Sequence, residues 1–505
     1  NGSGCCNMRI LLTTLNSKYV HSSLALKYLY MAAQNCCQEL EVKEFTINNS
    51  RDYIFNELVS GHYDAVCFSC YIWNIRQTAE LASDLKKAAP RCRILFGGPE
   101  VSYDAEAFLE EHPYVDFLIA GEGEIAFEKW CRAFNGDGSY SQVPGLFFRD
   151  AAGIFAGPAQ EAAAFASIPF PYSSFPCEAD KVIYYESARG CPFSCSYCMS
   201  SIERSLRELP VERVKEELSF FLKQEVKQVK FLDRTFNWQP DRSRELFAYL
   251  MKHDNGITNF HFEICADLLD EACLELLKDA RKGLFQFEIG IQSVNRQTLQ
   301  AVNRRSDSNA VLQKTKRLID LGNIHVHVDL IAGLPFEDYV SFGRSFDAVY
   351  QLGADHFQLG FLKLLKGTPI WQDAASFSYV WMDRPPWQVI SNRFICAEEL
   401  CRLQRIEEIL DLYYNRGGFS RSLPWAIRQM NEGPFVFYEN FSEYYYDRGF
   451  QHRSHKKEDL YRIFYAFGQG KNLGQVFTEL LLQDLEQTMN FYAVKKFKRK
   501  GWNIR

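Results

Sequence analysis

From residue 8 to about 135, short runs of β-forming residues ("MRILLTTL", "LEVKEFTI", "DAVCFSCYI", "CRILFGG", "VDFLIAGEGE") alternate with helix-like stretches such as "SLALKYLYMAAQ" and "TAELASDLKKAA". Strands separated by helices at this interval cover both of their faces only in a parallel sheet with helices on each side. The pattern predicts an α/β fold that begins with a doubly wound, Rossmann-like sheet, where ligands bind beyond the carboxyl ends of the strands. A second alternating block runs from about 181 to 375, with strands at "KVIYYESA", "VKQVKFLD", "NFHFEICAD", "LFQFEIGIQS", "IHVHVDLIAGLP" and "DHFQLGFLKLL". Six βα repeats predict a partial (β/α)6 version of the TIM-like barrel, whose chemistry sits at the C-terminal strand ends. Residues 136–180 read as a connector with a hairpin around "LFFRDAAGIFAG", and 376–505 as a mostly helical, aromatic-rich C-terminal domain. Four segments are therefore expected, 8–135, 136–180, 181–375 and 376–505, in a chain of 505 residues that is too long for one core.

The loops that follow the first-block strands read "TTLNSKYVHSS", "SCYIWN", "GGPEVS" and "GEGE". Gly97, Gly98, Gly121 and Gly123 allow backbone to approach a partner, and Tyr71 and Trp73 offer flat apolar faces. Glycine turns plus core aromatics explain any one of these loops, but four together less well. A net charge of −6 argues against a surface that coats nucleic acid, and "KKFKRKGW" at 495–502 is expected to be a solvated tail. No apolar run is long enough to span a bilayer and no signal-peptide series opens the chain, so a cytoplasmic location is expected. The opening "NGSG" is set aside as an expected cloning remnant. Sixteen cysteines in such a chain do not predict a disulfide framework. Cys36, Cys67, Cys92, Cys131, Cys265, Cys273 and Cys396 sit in apolar-periodic segments and are expected to be small core residues.

Residues two apart share a face of a strand. That rule groups Gln286, Glu288, Gly290 and Gln292 in one strand, His325, His327 and Asp329 in the next, His261, Glu263 and Cys265 in a third, and His356, Gln358 and Gly360 in a fourth. The apolar faces should meet the outer helices, so these polar faces converge inside the barrel. Unpaired carboxylates, amides and imidazoles are costly there, which predicts a ligand with many hydrogen-bonding groups. His325 and His327, deeper along their strand, are expected to form a satisfied polar plug.

After the first barrel strand comes "YYESARGCPFSCSYCMSS", with Cys191, Cys195 and Cys198 and no fourth ligand nearby. Structural zinc takes four protein ligands. A cubic four-iron cluster takes one ligand per iron, so three thiolates leave one iron open to a substrate.

"RGCPFSCSYC" resembles the CxxxCxxC signature of radical S-adenosylmethionine (radical SAM) enzymes, with Tyr197 as the aromatic before the last cysteine. The resemblance implies a 4Fe-4S cluster on Cys191, Cys195 and Cys198. Its open iron would be chelated by the amino and carboxylate groups of S-adenosylmethionine, whose sulfonium is cleaved to a 5′-deoxyadenosyl radical. "GIQSVNRQTLQAVNRR" and "VDLIAGLPFE" are similar to the fourth- and fifth-strand segments of the coproporphyrinogen-dehydrogenase branch. Matching positions imply that Glu263, Gln292 and Asp329 contact the ribose or amino group and Arg304 the carboxylate. "FLDRTFN" departs from the GGE-like pattern of many relatives, with Asp233 and Asn237 as the expected substitutes.

The first block resembles the cobalamin-binding domain that precedes the barrel in one large class of these enzymes. It implies that His21, Ser69, Tyr71, Trp73, Gly97, Gly98, Glu100, Gly121 and Glu122 lie on the loops that face cobalamin. "YVHSSL" around His21 is not DxHxxG, which implies cobalamin without a histidine ligand to cobalt. The expected function is a cobalamin-dependent radical SAM methyltransferase acting on an unactivated carbon, with no catalytic residue beyond the cofactor ligands and the third domain closing the site. Two alternatives stay open: a radical SAM enzyme that does not methylate, and a non-catalytic cobalamin or iron–sulfur carrier or sensor. The expected partners are a small-molecule or peptide substrate and a reducing donor such as flavodoxin or ferredoxin.

Overall fold

A computed structural model describes residues 8–37, 39–202 and 205–502. The opening "NGSG" lies outside them. Seven strands form the first sheet: β1 (Arg9–Asn16), β2 (Glu39–Thr46), β3 (Ala65–Ser69), β4 (Arg93–Gly97), β5 (Phe117–Ile119), β6 (Leu146–Asp150) and β7 (Gly153–Ala156), in the order β2-β1-β3-β4-β5-β6-β7. The first five are parallel. All five residues of the central strand β3 are buried, and apolar clusters lie on both faces of the sheet, as double winding requires.

The hairpin expected within the 136–180 connector is β6–β7, and it belongs to the first sheet. β6 pairs antiparallel with β5, Phe117 opposite Phe148 and Ile119 opposite Leu146. An uncovered β5 would leave a row of unpaired backbone groups, which the hairpin satisfies. Sequence periodicity shows a hairpin but not which edge receives it.

The second sheet is built from β8 (Ile183–Tyr185), β11 (Gln228–Phe231), β12 (Asn259–Ile264), β13 (Phe285–Gln292), β14 (His325–Ala332) and β15 (His356–Phe361), with the small pair β9 (Ala188–Arg189) and β10 (Arg207–Glu208) beside it. Its order is β15-β14-β13-β12-β11-β8, all parallel, an unclosed barrel. In β13 burial alternates strictly: Phe285, Phe287, Ile289 and Ile291 are buried while the residues between are half-buried. Phe247 and Phe262 pack against Phe285 and Phe287 on that apolar side. Register sets Glu263 opposite Glu288, Glu288 opposite His327, and Gly290 opposite Asp329, so the polar faces form one interior.

The helical part of the C-terminal region begins at Ala397 and continues to Lys500. Before it, residues 363–395 form a strap with a short hairpin, Val380–Trp381 against Val389–Ser391. The helices pack on the outer helix Tyr339–Tyr350 and the β15 edge, where Phe346 meets Phe435 and Tyr438. The strap reaches the first domain, and Trp387, one of its contact residues, belongs to the 376–505 segment expected to close the site. Lys366 pairs with Asp104, and Trp387 Nε1 donates to Glu100 at 2.6 Å. Among the described residues, no helix is long and apolar enough to cross a membrane.

Candidate functional site

The loop after β8 is held from three sides. Ser187 is fully buried, and its N–H donates to Asp233 at 2.7 Å. Arg189 pairs with Glu124 at 2.7 Å, Glu186 at 2.9 Å and Glu122 at 3.4 Å, joining the loop to the first domain. Gly190 has φ +90°, and a Cβ there would lie 2.4 Å from the Ser205 carbonyl oxygen, so only glycine makes the turn into Cys191. Further on, Ser196 N–H donates to the Val302 carbonyl at 2.9 Å, and the Ser196 carbonyl accepts from Ile370 at 3.0 Å.

Cys191, Cys195 and Cys198 line one cavity of about 180 Å³ at the C-terminal end of the barrel, together with Tyr197, Glu263, Gln292, Arg304 and Asp329. Among the described residues two other triads of metal-ligating atoms close to within 4.8 Å, and these three thiols are not one of them. That wider spacing does not suit a single ion and is compatible with a cluster that takes one thiolate per iron. Arg304 Nη1 is 3.4 Å from the Tyr197 hydroxyl and 3.9 Å from Cys195 Sγ, while Nη2 donates to the Gly290 carbonyl. Gln292 departs from regular strand geometry, at φ +70° with a register shift beside it. Its amide folds over Gly290, where a Cβ would lie 2.1 Å from Nε2.

Three of the cavity side chains carry a buried polar atom that makes no hydrogen bond within the protein: Gln292 Oε1, Arg304 Nε and Asp329 Oδ1. His327 Nε2 lies 3.2 Å from Asp329 Oδ1, within ion-pair distance but without a hydrogen bond's alignment. Burial raises the Asp329 carboxyl above its usual range and pushes Glu263 up to about 7. Glu288 moves the other way, down to about 2: burial opposes the shift, but His261 and Lys230, each 3.1 Å away, outweigh it. At the floor of the cavity, which Glu288 lines, Glu288, His261, Lys230 and His327 therefore make a polar plug. His325 is not part of it; it is solvent-exposed at the strand start, 3.9 Å from Asp355.

Asp233 and Asn237 do not line the cavity. Asp233 accepts from Ser187, and Asn237 holds both backbone polar groups of Cys265, at 2.8 and 2.9 Å. The role of holding the amino group of S-adenosylmethionine does not fit side chains already committed to anchoring loops. Their neighbours Arg234 and Thr235 line the cavity instead, with Thr235 Oγ1 3.8 Å from Cys191 Sγ. The segment follows the end of β11, where alternation stops, so the sequence gives no face for its residues. Cys265, expected in the core, also lines the cavity, and Cys396 is exposed at a helix N-terminus.

The first-domain loops meet the barrel and the strap. Trp73 is 45% exposed and stacks on Tyr71 at 4.5 Å, presenting a flat apolar surface beyond the end of β3, where Ser69 is buried. His21 Nδ1 is engaged by the Tyr184 hydroxyl at 2.7 Å. Glu122 pairs with Arg207 and Arg189; burial alone would raise its carboxyl, and the two guanidiniums hold it below the usual range. Glu100 accepts from Trp387, and burial raises its carboxyl. Gly98, at φ +107°, makes its close approach to protein: a Cβ would lie 2.5 Å from the Cys70 carbonyl oxygen. A Cβ at Gly121 would strike the Gln160 side chain at 2.2 Å, and one at Gly97 would meet only Ile119 O at 3.6 Å. Gly98 and Gly121 therefore each have a reason within the chain itself to be glycine, beside the expected approach to a ligand.

Family models match three segments: "B12 binding domain" over 10–130, "Radical SAM superfamily" over 185–349 and "Protein of unknown function (DUF4080)" over 375–501. The chain is similar to the cobalamin-dependent radical SAM methyltransferase TokK of Streptomyces tokunonensis, 28% identical over 309 residues, 57% of this chain and 45% of that protein. It is equally similar to 2-(S-pantetheinyl)-carbapenam-3-carboxylate methyltransferase of Streptantibioticus cattleyicolor, 28% identical over 308 residues, with the same 57% and 45% shares. The chain thus spans about half the length of these curated relatives. Among solved structures, the cobalamin-dependent S-adenosylmethionine radical enzyme OxsB with aqua-cobalamin bound shares the fold at a TM-score of 0.66 and 13% identity, over 98% of this chain and 84% of that one. The radical S-adenosylmethionine methyltransferase TsrM from Kitasatospora setae shares it at 0.62 and 17%, over 75% and 82%. A B12-binding family model thus matches the first sheet and a radical SAM superfamily model the second, and the fold that joins them is that of the cobalamin-dependent radical SAM enzymes.

Proposed function

We propose that the chain cleaves S-adenosylmethionine reductively and transfers a methyl group, with cobalamin, to an unactivated carbon of a small-molecule or peptide substrate. The observation that carries this reading is the cavity itself. Three thiols share it with Gln292 and Arg304, each with one buried polar atom that makes no hydrogen bond within the protein, and with Asp329, whose Oδ1 has only the His327 imidazole 3.2 Å away. Each such atom left unpaired costs roughly 1–3 kcal/mol, so a polar ligand that pairs all three is strongly favoured there.

Cys191, Cys195 and Cys198 would hold the cluster as thiolates. Arg304, fixed by the Gly290 carbonyl and Tyr197, would present its free Nε to a carboxylate. Glu263, its carboxyl pushed up to about 7 by burial, would be partly protonated near neutral pH and able to donate as well as accept a hydrogen bond toward the ribose or amino group. Asp329 and Gln292 would add acceptors from neighbouring strands. On the first domain, the exposed Trp73–Tyr71 stack suits a flat macrocycle. When bound, the cluster, S-adenosylmethionine and cobalamin would supply one-electron cleavage and a transferable methyl group. The strap at 363–395, latched by Lys366 and Trp387, would exclude water above the cavity. The units are a first domain over 8–135 extended by the hairpin at 146–156, a barrel over 181–375 and a C-terminal domain over 376–505.

The test is anaerobic turnover of the reconstituted protein with a one-electron donor such as flavodoxin or ferredoxin. Formation of 5′-deoxyadenosine with a product heavier by one CH2 unit is expected. Formation of 5′-deoxyadenosine with no methylated product would assign the non-methylating alternative, and no cleavage at all would assign a carrier or sensor.

A further inference from the structure

We infer that the first domain holds a second metal site, in which Cys36, Cys37 and Cys131 bind one soft d10 cation, cuprous copper or zinc, as thiolates. Composition alone makes Cys36 and Cys131 scattered core residues. In the fold the three Sγ atoms lie within 4.8 Å of one another, and all three are free thiols.

Their convergence is built by two helix ends. After the helix Leu24–Ala33, the N–H groups of Cys36 and Cys37 both donate to the Ala33 carbonyl, at 2.9 and 3.1 Å. This tight turn brings two consecutive side chains to one side, where an extended chain would send them to opposite faces. Cys131 comes from the neighbouring helix Glu124–Phe134. Asn135, just past the end of that helix, donates its amide to the Cys36 carbonyl at 2.8 Å and reaches Cys37 Sγ at 3.9 Å. An N–H directed at sulfur favours thiolate and orients a ligand, the usual work of residues behind a metal's ligands.

Donor type and access narrow the occupant. Three sulfurs select thiophilic ions over magnesium or calcium. Cys131 is 0% and Cys37 5% exposed, while Cys36 is half-buried and gives the entry path. Among the described residues no fourth histidine, cysteine or carboxylate joins the group, so a trigonal cuprous ion would be complete, and zinc would complete its shell with a water on the Cys36 side. A disulfide would use two sulfurs and leave the third beside them without a role, whereas one cation uses all three. Binding releases the thiol protons and needs no oxidant.

The site is separate from the cluster cavity. Ser23 caps the far end of the first helix, and Glu124 at the far end of the second pairs with Arg189. A helix of 10 residues places about 15 Å between its ends. A cation at the cysteines would clamp the ends of two helices whose opposite ends meet the barrel.

The test uses the full chain, reduced and iron-free, with Cys191, Cys195 and Cys198 changed to alanine to remove competing thiols. It is titrated anaerobically with Cu(I) alone and, in a second arm, with Zn(II) alone. One tight equivalent with thiolate-to-copper charge transfer in the near ultraviolet is expected in the copper arm, or one tight equivalent of zinc in the other; the tighter arm names the ion. Cys36→Ser, at a partly exposed position that tolerates the change, should weaken that equivalent at least tenfold. Cys131→Ser should do the same, and Cys401→Ser should leave it unchanged. Equal affinity in that parent protein and in its Cys36→Ser and Cys131→Ser derivatives, or no tight equivalent in either arm, would overturn the site. So would a Cys131 disulfide to Cys36 or Cys37 in untreated protein whose reduced form binds neither ion tightly.

Discussion

The side-chain amide of Asn415 closes on both backbone polar groups of Phe357, donating to its carbonyl and accepting from its N–H, each at 2.9 Å. β15 is the last strand of an unclosed barrel, so these groups would otherwise face outward unpaired. A side chain from the C-terminal region thus takes the place of a seventh strand. Asn415→Ala should cost about 1–3 kcal/mol of local stability. Hydrogen exchange at the Phe357 amide should accelerate accordingly while iron loading is unchanged; protection equal to wild type would show that the amide does not seal the edge.

Cys191→Ala, Cys195→Ala and Cys198→Ala together should abolish iron and sulfide binding and all cleavage of S-adenosylmethionine, with circular dichroism unchanged. Cys265→Ala, in the same cavity but outside the motif, should retain the cluster. Full iron and sulfide content in the triple variant would refute the ligand assignment.

Arg304→Ala and Asp329→Ala should each weaken S-adenosylmethionine binding by roughly 1.5–3 kcal/mol, the worth of a charge-assisted hydrogen bond, without loss of the cluster. Equilibrium binding under anaerobic conditions reads the effect. Unchanged affinity in both variants would place the ligand elsewhere.

Glu263 carries a pH dependence with a definite sign. Burial raises its carboxyl from 4.5 to about 7, so the folded state holds a proton that the unfolded chain releases between those values. Its stabilising contribution is complete below about 4.5 and is lost as pH rises through about 7. Glu263→Gln should flatten that part of the decline in thermal midpoint of the ligand-free protein. A slope identical to wild type would mean that Glu263 titrates normally.

Gly98→Ala should destabilise the first domain even without ligand, because the residue combines φ +107° with a Cβ position 2.5 Å from the Cys70 carbonyl. The backbone cost alone is about 1–3 kcal/mol. Gly97→Ala, whose Cβ would meet Ile119 O at an ordinary 3.6 Å, should be mild. Comparing the two thermal midpoints without cobalamin separates packing from ligand contact; equal midpoints would leave the approach to a ligand as the reason for glycine at 98.

The sequence by itself determined what depends on local pattern. Alternating strand and helix signals specified two parallel sheets, because only that arrangement buries both strand faces. Period-two alternation put Glu263, Glu288 and Asp329 inside the barrel, since side-chain direction in a regular strand follows from the backbone alone. The spacing of Cys191, Cys195 and Cys198 singled out the loop after β8. Where the backbone leaves regular geometry, that logic fails, and only tertiary structure decided. Past the end of β11 it turned Arg234 and Thr235 into the cavity and committed Asp233 to Ser187. It gave the connector hairpin to the β5 edge and packed Gly98 against the Cys70 backbone. It brought Cys131 to Cys36 and Cys37 across some ninety residues of chain. Each of these depends on which distant backbone comes alongside, a property of packing between elements that no local residue pattern encodes.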